Sequence, residues 1–218
     1  MKSSILFVLA SALASSVSGD DGSEYVTCGS AVKLQHSESN GSIYYLTSGG
    51  ERVQGAGSGQ QLITASTEKN KMSSLWLIKE GTGQNPCTTG SKIAYGNRFR
   101  LTHVETGSNL HSHLVRSPLS QQQEVTGFGN GGEGDRGDDW TVQAKNSRNS
   151  GPYWKIGEDV FIKHVDTSMY LGSSDQAKFT SRNCGRNCPV MNHNEVFGRN
   201  KADSFCYWKT EHGIFLHK

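Results

Sequence analysis

Phe99-Arg100-Leu101-Thr102-His103-Val104-Glu105-Thr106 is the stretch that decides the fold. Its first five residues alternate around apolar Phe99 and Leu101, the two-residue period of a strand. The acid and hydroxyl that follow can hydrogen-bond their own backbone and form a turn. The same pattern occurs twice more, at Val32-Lys33-Leu34-Gln35-His36-Ser37-Glu38-Ser39 and at Val160-Phe161-Ile162-Lys163-His164-Val165-Asp166-Thr167. Each reads apolar-x-apolar-x-His and then x-acid-hydroxyl. The histidines stand 67 and 61 residues apart.

Further landmarks repeat in the same order. A second strand signal reads Tyr45-Leu46-Thr47-Ser48, Asn109-Leu110-His111-Ser112 and Tyr170-Leu171-Gly172-Ser173. A third reads Gln61-Leu62-Ile63-Thr64, Gln123-Glu124-Val125-Thr126 and Asn194-Glu195-Val196-Phe197. Each unit closes with a tryptophan, Trp76, Trp140 or Trp208. The repeats therefore cover about residues 25–80, 90–145 and 155–212. From the landmark leucine to the landmark Ile or Val takes 17, 15 and 25 residues, so the third unit carries an insertion. Insertions map to loops, and Cys184 and Cys188 lie inside this one. One unit alone would expose strand edges, whereas three can close on each other. Gly213-Ile214-Phe215-Leu216 is expected to form the last strand and to pair near Ala31-Val32.

Composition agrees with a closed all-β assembly. The chain has 218 residues, 33% hydrophobic, with 26 glycines and 4 prolines. Mean hydropathy is −0.57. Glycine at this level opposes a helical bundle. The 4 Trp, 7 Tyr and 8 Phe, with a net charge of only +2, oppose disorder. A charge so near zero makes nucleic acid an unexpected partner. Residues 1–19 read as a secretory signal peptide: Lys2, an apolar stretch from Ile5 to Leu13, then small residues to Gly19. This run is too short for a membrane span, which needs about 20 residues, and no other apolar run competes, so no membrane span is expected. Residues 20–218 then form a single domain. Asn40-Gly41-Ser42 is a glycosylation sequon in a turn, so Asn40 is expected to be an exposed glycan site.

The run Leu101-Thr102-His103-Val104-Glu105-Thr106-Gly107, with Leu110-His111-Ser112-His113, resembles the MIR motif. That motif is shared by protein O-mannosyltransferases, inositol trisphosphate and ryanodine receptors, and the stromal cell-derived factor 2 family. Val26-Thr27-Cys28-Gly29-Ser30, Gly55-Ala56-Gly57-Ser58-Gly59-Gln60-Gln61, Ser117-Pro118-Leu119-Ser120 and Gly213-Ile214-Phe215 narrow the resemblance to the last of these, over residues 25–216. The resemblance implies a β-trefoil of three MIR repeats with pseudo-threefold symmetry. It also implies a non-catalytic factor of the endoplasmic reticulum lumen, working in quality control. The implied partners are a luminal J-domain co-chaperone and BiP, with unfolded or O-mannosylated clients. A glycan-binding, lectin-like role is the alternative. The C-terminus Leu216-His217-Lys218 is not KDEL-like, so residence in the lumen would depend on a retained partner, with secretion as the other outcome. The first and third units depart from the His111-Ser112-His113 pattern, reading Thr47-Ser48-Gly49 and Gly172-Ser173-Ser174.

No catalytic constellation, cofactor motif or metal motif stands out. His111 and His113 share one strand face, but zinc would need a third and fourth ligand and no partner cluster is apparent. They are expected to be polar strand residues or ligand contacts at the open end of their unit. His36, His103 and His164 are expected to be structural, each bonding the turn that follows it. Trp76, Trp140 and Trp208 recur at matching positions, which favours the core or barrel rim over sugar stacking. In an oxidising lumen disulfides are the default, and five cysteines leave one over. Cys28 and Cys87 lie at the two ends of the first unit, which a trefoil brings together, so they are expected to pair. Cys184, Cys188 and Cys206 have no assignable pairing. Arg136-Gly137-Asp138 spells an adhesion tripeptide, expected to be a coincidence.

Overall fold

The computed structural model describes residues 24–37, 41–52, 57–148 and 150–217. The signal-peptide reading and the Asn40 sequon lie outside the described residues. Thirteen strands form among the described residues. They are β1 (Ala31–His36), β2 (Tyr44–Thr47), β3 (Gln61–Leu62), β4 (Thr64–Ser66), β5 (Trp76–Glu80), β6 (Arg98–His103), β7 (Asn109–Arg116), β8 (Gln123–Phe128), β9 (Trp140–Ala144), β10 (Val160–His164), β11 (Tyr170–Lys178), β12 (Asn194–Arg199) and β13 (Trp208–Ile214). Three 3-10 turns, Met72–Ser74, Arg136–Asp138 and Ser204–Cys206, each end two residues before a landmark tryptophan.

The barrel closes through β1, β5, β6, β9, β10 and β13. Each pairs antiparallel with the next, and β13 returns to β1. Ile214 lies opposite Ala31 and Gly213 opposite Val32. The remaining strands pair as β2–β4, β7–β8 and β11–β12 and join across units as β4–β12, β8–β12 and β3–β8. This is a β-trefoil: a closed barrel capped by three hairpins. Closure removes the barrel edges that a lone unit would expose.

The alternating residues of each landmark strand point into one core. Val32, Leu34, Leu101, Val160 and Ile162 are fully buried, as are Leu46, Leu110 and Leu171 from the capping hairpins. Burying a side chain of this size contributes about 1.5–3 kcal/mol. Three lead-in segments, bridged Tyr25–Lys155, Thr27–Lys92 and Ala94–Tyr153, cover the other end of the barrel with Val26, Ile93 and Trp154. Cys28 is bonded to Cys87, and Cys184 to Cys188. The second disulfide ties the third unit's insertion, which holds one helical turn, Ser181–Cys184. Cys206 is free and buried.

Tryptophans and histidines interlock the units in a cycle. The indole Nε1 of Trp76, Trp140 and Trp208 donates to the landmark carbonyl of its own unit, Leu46, Leu110 or Leu171, at 2.9, 2.8 and 2.9 Å. The indole ring then packs on the histidine of the following unit: Trp76 on His103, Trp140 on His164, Trp208 on His36. Two of those histidines, His103 and His164, reach both ways. His103 Nδ1 accepts from Thr106 Oγ1 in its own turn, and its Nε2–H donates to Ser73 O in the preceding unit. His164 does the same with Thr167 and Gly137, and His36 Nε2 donates to Phe205 O. The local turn bond is thus only half of what the His103 and His164 rings do.

Candidate functional site

The departures from threefold symmetry single out one corner of the second unit. His111 lies on β7 directly after the landmark Leu110, and the matching positions are Thr47 and Gly172. Period-two geometry puts His111 and His113 on the same strand face, with ring centroids 5.1 Å apart. Each histidine meets a buried carboxylate. His111 Nδ1 donates to Asp138 Oδ1 at 2.9 Å. His113 Nε2 donates to Glu124 Oε2 at 2.8 Å.

Asp138 is delivered by the 3-10 turn Arg136–Asp138, whose capping box uses Asp135 as N-cap. Asp135 accepts from the Gly137 amide at 2.8 Å, while Asp138 Oδ2 accepts from the Asp135 amide at 3.0 Å and from Asn109 Nδ2 at 2.9 Å. Thr102 Oγ1 fixes that asparagine at 2.7 Å. Gly137 is required by close approach, because a Cβ there would lie 2.3 Å from His111 Cε1. The adhesion-like tripeptide is therefore a structural turn: Arg136 is exposed, but Asp138 is wholly buried.

Asp135 and Asp138 stand more than twenty residues from His111, and nothing in the sequence marks them as its partners. The missing cluster around the histidine pair is thus present, assembled by the turn that precedes Trp140. His111, His113, Phe128, Asp135, His164 and Asp166 line a shallow cleft of about 730 Å³ between the second and third units. The matching cleft of the first unit is lined by Glu51, Glu68, Lys71 and Glu105. That of the third is lined by Leu119, Lys178, Phe197, Arg199 and Phe205.

Glu124 also holds a loop. Both of its oxygens accept from the Ser58 amide at 3.1 Å, pinning a glycine-rich loop of the first unit. Burial would raise the Glu124 carboxyl, but bonds from His113 and Ser58 outweigh it and hold the group below its ordinary 4.5. Glu195, the matching residue of the third unit, does likewise for the second. It accepts from the Leu119 and Ser120 amides at 2.6 and 2.8 Å. In the first unit this position is Leu62, and the third unit's insertion packs on it through Phe179, Cys188 and Val190. Apolar packing and a disulfide there replace the glutamate clasp.

The three landmark histidines belong to the frame rather than to the cleft's chemistry, although His164 lines its wall. Burial depresses the pKa of His103 and His164, so both stay neutral in the arrangement their bonds require. Burial also pushes the Cys206 thiol up to about 11, which leaves it unreactive. The three tryptophans are fully buried and offer no face to a sugar.

A family model described as the MIR domain matches residues 24–139. Human stromal cell-derived factor 2 is 42% identical over 191 residues, covering 88% of this chain and 82% of that protein. The crystal structure of the SDF2-like protein from Arabidopsis thaliana superposes with a TM-score of 0.77 at 33% identity, over 88% of this chain and 98% of that one. The S. cerevisiae protein O-mannosyltransferase Pmt1-Pmt2 complex bound to the sugar donor matches with a TM-score of 0.72 at 26% identity, over 88% of this chain and 26% of that one.

Proposed function

Since the chain belongs to the stromal cell-derived factor 2 family of MIR-domain proteins, we propose that it is a non-catalytic quality-control factor of the endoplasmic reticulum lumen. It binds a J-domain co-chaperone and BiP and presents unfolded clients to them. The correspondence with the family along nearly the whole chain carries this reading. The bonding beside the cleft is structural: Glu124 clasps the Ser58 loop, and the cleft residue His113 is spent on Glu124. No helix among the described residues is long and apolar enough to cross a membrane. Residues 1–19 act as the export signal and the rest as one three-unit domain, reaching the lumen or the medium. Tagged full-length protein recovered from the lumen should carry a J-domain co-chaperone and BiP, and recovery of neither overturns the reading.

The second cleft favours one further reading, a glycan site. Its wall combines the Phe128 ring with the polar edges of His111, His113 and Asp135, the mixture that sugar recognition uses. Clients bearing O-linked mannose would then be held here. Competable binding on a glycan array, lost in His111→Thr with His113→Ser, is the expected result, and an unchanged array profile in that variant removes it.

A further inference from the structure

The geometry points to a divalent-cation site of the zinc class in the second unit, with His111, Asp135 and Asp138 as its protein ligands. His111 Nδ1 lies 2.9 Å from Asp138 Oδ1 and 3.6 Å from Asp135 Oδ1. All three ligand atoms fall within 4.8 Å of one another. Zinc bonds of about 2.0–2.1 Å in a tetrahedron set ligand atoms roughly 3.3 Å apart. The observed separations bracket that edge, so small side-chain adjustments admit an ion. One imidazole and two carboxylates also suit zinc better than the all-oxygen sets of calcium or magnesium.

A second observation is independent of spacing. Asp138 is completely buried, yet no lysine or arginine pairs with it among the described residues. Its Oδ2 accepts only from neutral donors, the Asn109 amide and the Asp135 backbone, and Oδ1 meets His111 alone. A carboxylate so placed has donors for both oxygens but no lysine or arginine beside it, and a bound cation would supply the missing positive charge. The fold does not demand one: the matching positions are Thr47 with Ser74 in the first unit, and Gly172 with Cys206 in the third. A divalent ion neutralises the two carboxylates, giving a site of zero net charge. The His111 proton then resides on Nε2.

The outer contacts are those of a metal centre. Asn109 holds Asp138, Thr102 holds Asn109, and the Phe128 ring covers His111 at 4.7 Å. The ring of His113 stands edge-on to that of His111. Three protein ligands leave zinc one short of the closed four-ligand structural site.

The test is titration of the full, tag-free chain with Zn²⁺ by calorimetry, and with Co²⁺ by visible absorption. The expected result is one ion per chain, d–d bands from cobalt, and a higher melting temperature with zinc. Asp135→Asn preserves the cap acceptor of the turn and should weaken binding at least about tenfold. His111→Gln should abolish it, and its melting curve without metal shows whether it is folded. No zinc uptake at micromolar concentration by the wild type overturns the site. Uptake unchanged in folded Asp135→Asn overturns it equally.

Discussion

The second and third units build the same corner from different side chains. In the second, His111 and Asp138 meet through a hydrogen bond inside the protein. In the third, Gly172 leaves room for Cys206, and a Cβ on that glycine would sit 3.3 Å from the sulfur. Around both corners the frame is unchanged: Trp140 and Trp208 each donate to a landmark carbonyl and each packs on the next histidine. The difference teaches that the tryptophan–histidine interlock is what the trefoil requires, whereas the corner is free to vary. The free cysteine is the small apolar solution to that corner, and the hydrogen-bonded His111–Asp138 pair of the second unit is an addition.

The comparison breaks most visibly if the frame itself is cut. Trp140→Ala should cost about 3–5 kcal/mol in urea unfolding, from the cavity and the lost contact with His164. His111→Thr, which installs the first unit's residue, should cost about 1–3 kcal/mol because it leaves Asp138 Oδ1 without its donor in the core. The double variant His111→Thr with Asp138→Ser installs the first unit's whole solution. It should be more stable than His111→Thr alone, a non-additivity that a double-mutant cycle reads directly. A double variant as weak as the sum of its parts would place His111 and Asp138 in the frame after all.

Most of the frame was legible in sequence for a physical reason. The strand alternation, the histidine turns and the tryptophans are local patterns, and threefold repetition made each visible three times. Closure between the last and first strands followed from the same logic and holds in register at Val32 and Gly213. The lead-in segments around Val26, Ile93 and Trp154 are legible only in three dimensions, because two-residue bridges leave no periodic trace. The candidate site was half legible. His111 and His113 stood out because they break the repeat. Their carboxylates did not, because Asp135 and Asp138 lie in a turn that looks like any glycine-rich acidic loop, and Glu124 lies in a strand. Only the folding of β7 against that turn and against β8 brings them together.

Acid offers the mildest way to separate frame from corner. In the folded protein burial holds His103 and His164 neutral, with pKa values below the ordinary 6.5. The unfolded chain therefore binds more protons than the native one as pH falls through 6.5, and stability must drop with it. This contribution is complete above about pH 6.5 and is lost progressively below. Protonation would also take Nδ1 away from the Thr106 and Thr167 hydroxyls, so the interlock loses a bond as well as gaining a buried charge. Glu124 acts in a different window. Its folded pKa lies below 4.5, so its stabilisation is present above that value and fails only in stronger acid. Urea midpoints measured from pH 7.5 to 5.0 should therefore fall in the wild type. Replacing His103 and His164 with glutamine should reduce that fall, whatever the variant's absolute stability; burial lowers the pKa of His193 too, and its share of the fall should remain. A wild-type midpoint that is level down to pH 5 would mean that the frame histidines accept protons without strain, and the neutral interlock would have to be abandoned.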